Sequence, residues 1–305
     1  MGRPALTAPR IAQWATFGLV LVVLGCESIK STPTVLAPGG ERGQVAAAVP
    51  KKPGGVHAPL RVAKFVVYAD VPLDPADVIF RELEELPDQL QRELRLPASN
   101  TIVQVFLFDD QEKYEAYMKD RYPWLPVRRA YFIADQKRPG SADDLQVYTY
   151  IGDHLRTDLR HELTHALLHS VLKGVPLWLD EGLAGFFEQP PHHDGVNPDH
   201  LDTLRKEYQA GQTRPDLPRL EKIDQVKQMG KAEYREAWAW VHFLLRSDPK
   251  AKAALLDYVQ LLRENPDPGP LQAKLGEAFP EPNAVLVQHL YQAELPSARI
   301  RTAGR

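Results

Sequence analysis

His161-Glu162-Leu163-Thr164-His165 sets two imidazoles four residues apart with a carboxylate beside the first. On a helix, residues four apart lie within about 40° of one face, so the two rings can converge on one metal ion while Glu162 lies beside the remaining coordination position. Zinc suits such ligands and lowers the pKa of a water it holds toward about 7. A neighbouring carboxylate, here Glu162, can take that proton and later deliver it to a leaving amine. The chemistry implied is hydrolysis assisted by one zinc ion.

Elements must exist to carry these groups. Across 153–173, Leu155, Leu159, Leu163, Ala166 and Leu167 recur at three- and four-residue steps, followed by Gly174 and Pro176 as stop signals, which predicts a helix through the pentapeptide. A catalytic zinc site usually takes three protein ligands plus water, so the third must come from another element. Pro176 can open a second helix with an apolar face of Leu179, Leu183, Phe186 and Phe187. Gly182 and Gly185 would let two backbones approach, and Pro190-Pro191 ends the helix. Glu181 is the third ligand on this reading. Asp180 points to a different face and supports or caps the site, with its own ligation as the alternative.

Rival ligand sets are weaker. His169 is rotated about 80° from His161 on the same helix and is expected to pack or face solvent. Leu168 and Val171 stand where a metzincin pattern needs Gly and His. The sole cysteine, Cys26, lies in a leader-like segment and cannot complete a His/His/Cys set.

The run 159–188, LRHELTHALLHSVLKGVPLWLDEGLAGFFE, resembles the gluzincin zinc peptidases, especially the peptidase MA-like group of unknown function with its H-E-[LF]-T-H and W-L-x-E-G-x-A signatures. The resemblance implies His161, His165 and Glu181 as zinc ligands, Glu162 as general base, and a peptide or protein substrate. Such families also carry a tyrosine leading an aromatic-rich helix, and Tyr234 with YREAWAWVHFLL is similar. A phenol there could donate a hydrogen bond to the oxyanion. The chain departs from thermolysin-like relatives in its shorter spacing to the glutamate. It also has Gly185 where they place an aspartate that orients a zinc histidine, so the resemblance assigns no residue to orient His161. A fold that has lost turnover, acting as an envelope binding protein or scaffold, is the alternative function.

Arg3 and Arg10 precede an apolar run over 11–24, about half to two-thirds of a membrane-spanning length, which reads as a secretory leader over 1–25. Val23-Leu24-Gly25-Cys26 resembles a lipobox, implying lipidation of Cys26, export and membrane tethering. Glu27 instead of Asp favours the outer membrane or cell surface by the same resemblance. An ordinary leader with an incidental cysteine is the other reading. With no second cysteine, the exported domain relies on its core and holds no disulfide. Residues 26–60 are rich in Pro, Gly and Ala and read as a disordered tether with a reach of roughly 30 Å. A net charge of −3, with 25% charged residues of mixed sign, excludes a basic nucleic-acid-binding surface.

At 305 residues and 44% hydrophobic content, the chain can build a sizeable core over 61–296, leaving 297–305 as a disordered tail. Strands are expected at 62–70, 101–108, 129–133 and 145–151, with helices at 74–86, ending at Pro87, and at 110–121. The strand at 145–151 is either an ordinary half-buried strand or a sheet edge that pairs with substrate. Its alternation puts Val147, Thr149 and Ile151 on one face and Tyr148 and Tyr150 on the other. His192 and His193 fall in a polar loop and are expected in solvent. Helices follow at 200–210, 231–246, 251–263, 271–279 and 282–293. The fold class is α+β: a small mixed sheet with helices first, a mostly helical C-terminal part, and the zinc site on two helices between them.

Overall fold

Alternating side chains along Val103–Phe108 divide the core in two. Val103, Val105 and Leu107 join one large aliphatic and aromatic core, whereas Phe106 and Phe108 join a smaller aromatic cluster on the opposite face. The computed structural model describes residues 21–24, 51–53, 57–135 and 144–294. Its sheet contains β1 (Leu21–Leu24), β2 (Leu60–Val62), β3 (Phe65–Ala69), β4 (Val103–Phe108), β5 (Tyr131–Asp135) and β6 (Asp144–Tyr150), in the order β1-β5-β6-β4-β3-β2. β4 runs parallel to β3 and β6, with Val105 opposite Val67 and Val147; the remaining pairs are antiparallel.

Helices cover both faces, as parallel crossovers require. α1 (Val78–Leu94) sets Phe80, Leu83, Leu86, Leu90 and Leu94 into the large core, and α2 (Gln111–Arg121) sets Tyr114, Tyr117 and Met118 into the aromatic cluster. Asp77 and Asp110 accept backbone N–H bonds at the two N-termini. From residue 155 onward the chain is helical: α3 (Leu155–His169), α4 (Leu177–Phe187), α5 (Pro198–Gln209), α6 (Leu217–Leu220), α7 (Lys231–Arg246), α8 (Pro249–Leu262), α9 (Leu271–Ala278) and α10 (Pro282–Gln292). The architecture is thus the expected mixed α/β one, with a helical C-terminal part.

Several local expectations change. The single strand at 62–70 is a hairpin, because Ala63 adopts φ 49° and turns Leu60–Val62 back onto Phe65–Ala69. Pro87 does not end α1. An interior proline costs about 3 kcal/mol, and burial of Leu83, Leu86, Pro87 and Leu90 on one face offsets that loss. The strand expected at 145–151 is not an edge, since β4 and β5 flank it on either side. Within the stretch read as a tether, Lys52 Nζ lies 3.6 Å from the centre of the Phe106 ring and Leu60 already opens β2. Of the leader, Leu21–Leu24 are described, paired antiparallel with β5; Cys26 and the tail 297–305 lie outside the described residues. Among the described residues, no helix is long and apolar enough to cross a membrane.

The packing that matters for the site is α4 against α3 and α7. At Gly182 an added Cβ would meet the Ala237 carbonyl oxygen at 2.6 Å and Val241 Cγ2 at 2.7 Å, so this position lets α4 and α7 close together. Gly185 is different: a Cβ there would meet Trp238 at an ordinary 3.7 Å.

Candidate metal centre

α3 carries His161 and His165 one turn apart, both buried, with ring centroids 4.9 Å apart and planes crossing at 76°. α4 brings Glu181 between them. Its Oε2 lies 3.4 Å from His161 Nε2 and 3.7 Å from His165 Nε2. Ligands about 2.0–2.2 Å from a tetrahedral zinc are separated from one another by roughly 3.3 Å, so the spacing fits such an ion. These three residues form a buried group that could hold a metal ion.

The polar atoms that face this point are unfinished. His161 Nε2, His165 Nε2, both Glu181 carboxylate oxygens and Glu162 Oε2 are buried with no hydrogen-bond partner among the described residues. Each such atom costs about 1–3 kcal/mol if left so, and a cation with its water would satisfy them together. The donor chemistry of two imidazoles and one carboxylate fits zinc.

The opposite ring nitrogens are held. Glu188 Oε2 lies 2.8 Å from His161 Nδ1, and Asp180 Oδ1 lies 2.9 Å from His165 Nδ1. The second oxygen of Asp180 is 2.9 Å from His169 Nε2. Imidazoles that bind metals commonly donate their other N–H to a carboxylate, which fixes ring orientation and raises ligand basicity. His169 packs as expected, its ring centroid 5.6 Å from that of Phe132, and it also holds the carboxylate that lies against His165.

Glu188 reaches its place because α4 ends there. Buried Arg160 of α3 donates from Nε to the Phe187 carbonyl at 2.9 Å and from Nη2 to Gln89 at 3.0 Å, joining α3 to the α4 C-terminus and to α1. Helix geometry supplies the rest: Glu188 is seven residues beyond Glu181, within about 20° of the same face. Glu188 was missed in the sequence, although that seven-residue step after the expected ligand was the available signal.

Electrostatics follow burial and these partners. Burial raises the Glu162 carboxyl to about 7, against the opposing pull of His161 and His165. For His161 burial disfavours the charge, but Glu181 and Glu188 outweigh it and the ring is held well above its ordinary value. Burial likewise opposes the charge on His165, and Asp180 and Glu181 still raise it. Burial would raise Asp180, yet His165 and His169 keep it well below the usual carboxylate range. A field that favours protons on both imidazoles also favours a cation in their place.

Tyr234, at the start of α7, is buried and hydrogen-bonded to Arg128. Burial opposes the charge on Arg128, but Tyr234, Tyr131 and Glu181 more than restore it. The structure thus joins Tyr234 to a cation that no sequence motif marked. Cys26 is outside the described residues. His192 is exposed and His193 partly so, in a short 3-10 turn after α4.

A family described as a protein of unknown function (DUF1570) matches residues 157–266. That stretch, about a third of the chain, holds His161, Glu162, His165, Asp180, Glu181, Glu188 and Tyr234, but not Arg128. No curated protein and no solved structure matches the chain.

Proposed function

We propose that the chain is a zinc-dependent peptidase of the gluzincin type. The observation that carries this reading is the convergence of unpaired buried atoms from His161, His165 and Glu181 beside the unpaired carboxylate of Glu162. When bound, the ion supplies Lewis acidity toward water and a carbonyl oxygen.

The chain's own groups divide the remaining work. Glu162, with its pKa raised to about 7, is poised to accept a proton from water and return it to the leaving amine near neutral pH. Glu188 and Asp180 keep the two imidazole Nε2 atoms turned inward. Arg128 and Tyr234 provide donors for negative charge developing on the peptide carbonyl oxygen, a contribution of about 3 kcal/mol in comparable sites. The alternative, a scaffold without turnover, drew on the lack of a residue to orient His161, and Glu188 fills that place.

Export by a lipoprotein-type leader remains part of the proposal and rests on residues 1–26 alone. Cleavage before Cys26 would remove Leu21–Leu24 and leave β5 as the sheet edge, where an extended peptide could pair by its main chain.

The test is cleavage of an unfolded protein by the purified full-length chain beside its Glu162→Gln and His165→Ala variants. Turnover by the wild type and at least a hundredfold loss in both variants is expected. Inertness of the zinc-loaded wild type across broad peptide libraries would sink the peptidase reading.

A further inference from the structure

Large apolar side chains that reach solvent mostly do so singly: Val78, Ile102, Ile151, Leu261 and Tyr291 lie in separate segments of the chain. The loop between α2 and β5 is different. Trp124 and Val127 are both 63% exposed, and Pro123 and Pro126 beside them also face solvent. Trp178, Trp238 and Trp240 are fully buried, so Trp124 is the exposed tryptophan among the described residues.

The loop's own bonds hold these side chains out. Pro123 takes the second position of a turn closed by the Leu125 N–H on the Tyr122 carbonyl at 3.0 Å, which sets Trp124 at the tip. Tyr122 and Leu125 pack inward on the aromatic cluster, and the Tyr122 ring meets that of Trp124 edge-on at 5.9 Å. The far end is tied down as well. The Tyr131 hydroxyl donates to the Pro126 carbonyl, Thr149 Oγ1 donates to the Arg129 carbonyl at 3.1 Å, and Arg129 pairs with Asp158 of α3 at 2.9 Å. Basic groups flank the apolar tip. With Arg129 paired, Lys119, Arg121 and Arg128 stand against a single acid, Asp120, over 119–129, and Lys119 and Arg121 are exposed.

We propose that the loop 122–127 is a membrane-docking tip, which seats Trp124 and Val127 among the headgroups of an anionic lipid surface with Lys119 and Arg121 against their charge. Tryptophan favours the membrane–water interface, where its ring is sheltered and its indole N–H stays wet. Interfacial binding grows with the apolar area buried and with the attraction of basic groups to anionic lipid, and the tip supplies both. A protein partner fits less well, since the exposed run 123–127 is five residues and a stable protein–protein interface uses roughly 20–30 a side. The surface belongs to the folded domain and rests on neither the leader nor the peptidase reading. Docking by this tip holds α3, to which Arg129 ties the loop, close to the lipid.

The test uses the full-length chain with Trp14→Phe, which removes the tryptophan of the leader and leaves Trp124 beside three buried ones. It is mixed with vesicles of phosphatidylglycerol and phosphatidylcholine brominated on their acyl chains, and co-sedimentation follows binding. Expected are a blue shift of the emission and quenching by the brominated lipid, both lost in Trp124→Ser. The double variant Lys119→Glu, Arg121→Glu should cut the quenching at least twofold, even where the leader keeps the chain on the vesicle. Circular dichroism equal to wild type shows that these exposed substitutions leave the fold intact. No quenching of Trp124, whether the chain sediments with the vesicles or stays in solution, overturns the proposal. So does quenching that persists in Trp124→Ser or ignores the charge reversal. A blue shift that grows with protein concentration in the absence of vesicles assigns the tip to a second copy of the chain instead, and overturns the proposal too.

Discussion

Glu188 Oε2 stands 2.8 Å from His161 Nδ1, across from the Nε2 atom that faces Glu181. Glu181 on α4 and Glu188 at its C-terminal cap thus grip one imidazole from both sides, seven residues apart in sequence and two helical turns apart in space. The inner carboxylate faces the candidate metal position and the outer one holds the ring.

If the outer carboxylates act by orientation, their removal should weaken metal binding without unfolding the chain. Glu188→Gln and Asp180→Asn are expected each to lower zinc affinity about 10- to 100-fold, measured by competition with a chromophoric chelator. His169→Ala should give a smaller loss, since it acts on His165 only through Asp180. Affinities equal to wild type in both carboxylate variants would show that the rings hold their orientation without them.

Gly182 and Gly185 should respond in opposite ways to the same change. Gly182→Ala drives a methyl into the Ala237 carbonyl and Val241, separating α4 from α7, and overpacking of this kind costs about 1–3 kcal/mol. Gly185→Ala meets Trp238 at ordinary contact distance and gains helix propensity, up to about 1 kcal/mol. Chemical denaturation of the two variants checks this, and a Gly182→Ala chain as stable as wild type would refute the close approach.

How much could be read in advance depended on how local the signal was. The helix around His161 and His165 was legible because its leucine spacing and its Gly174 and Pro176 stops lie within one segment, and α7 was expected over the same residues that it occupies. Glu188 was legible only through Glu181, as a residue two turns further along the same face. Arg128 was not legible: a lone arginine in a loop gains meaning only when the sheet brings it to Tyr234 and Glu181. Of the two readings of 145–151, the ordinary strand stands and the sheet edge does not, and the choice was not legible because alternation reveals which face a side chain takes but not which strands lie alongside. Pro87 misled because its local cost is visible in sequence, whereas the burial that offsets it depends on the packed sheet.

His242 Nδ1 lies 2.9 Å from His289 Nε2, joining α7 to α10. Burial holds His242 at about 3 and His289 at about 4, both below the ordinary 6.5. Unfolded histidines take up protons near 6.5, so the pair's contribution to stability is full above that pH and is lost as pH falls toward the folded values. The slope is at most about 1.4 kcal/mol per pH unit for each titrating ring. Urea denaturation at pH 7, 6 and 5 should show a steeper loss in wild type than in His289→Leu. Parallel slopes would contradict the neutral buried pair.

Elemental analysis of the purified full-length chain after zinc loading and gel filtration tests the metal centre. One zinc per chain is predicted at pH 7.5, retained in Glu162→Gln and lost in His165→Ala. Because protons compete for His161 and His165, both held above their ordinary pKa, that zinc should dissociate as the pH falls below neutral. No bound zinc at neutral pH, or an equal content in the His165→Ala chain, would rule out a zinc site at His161, His165 and Glu181.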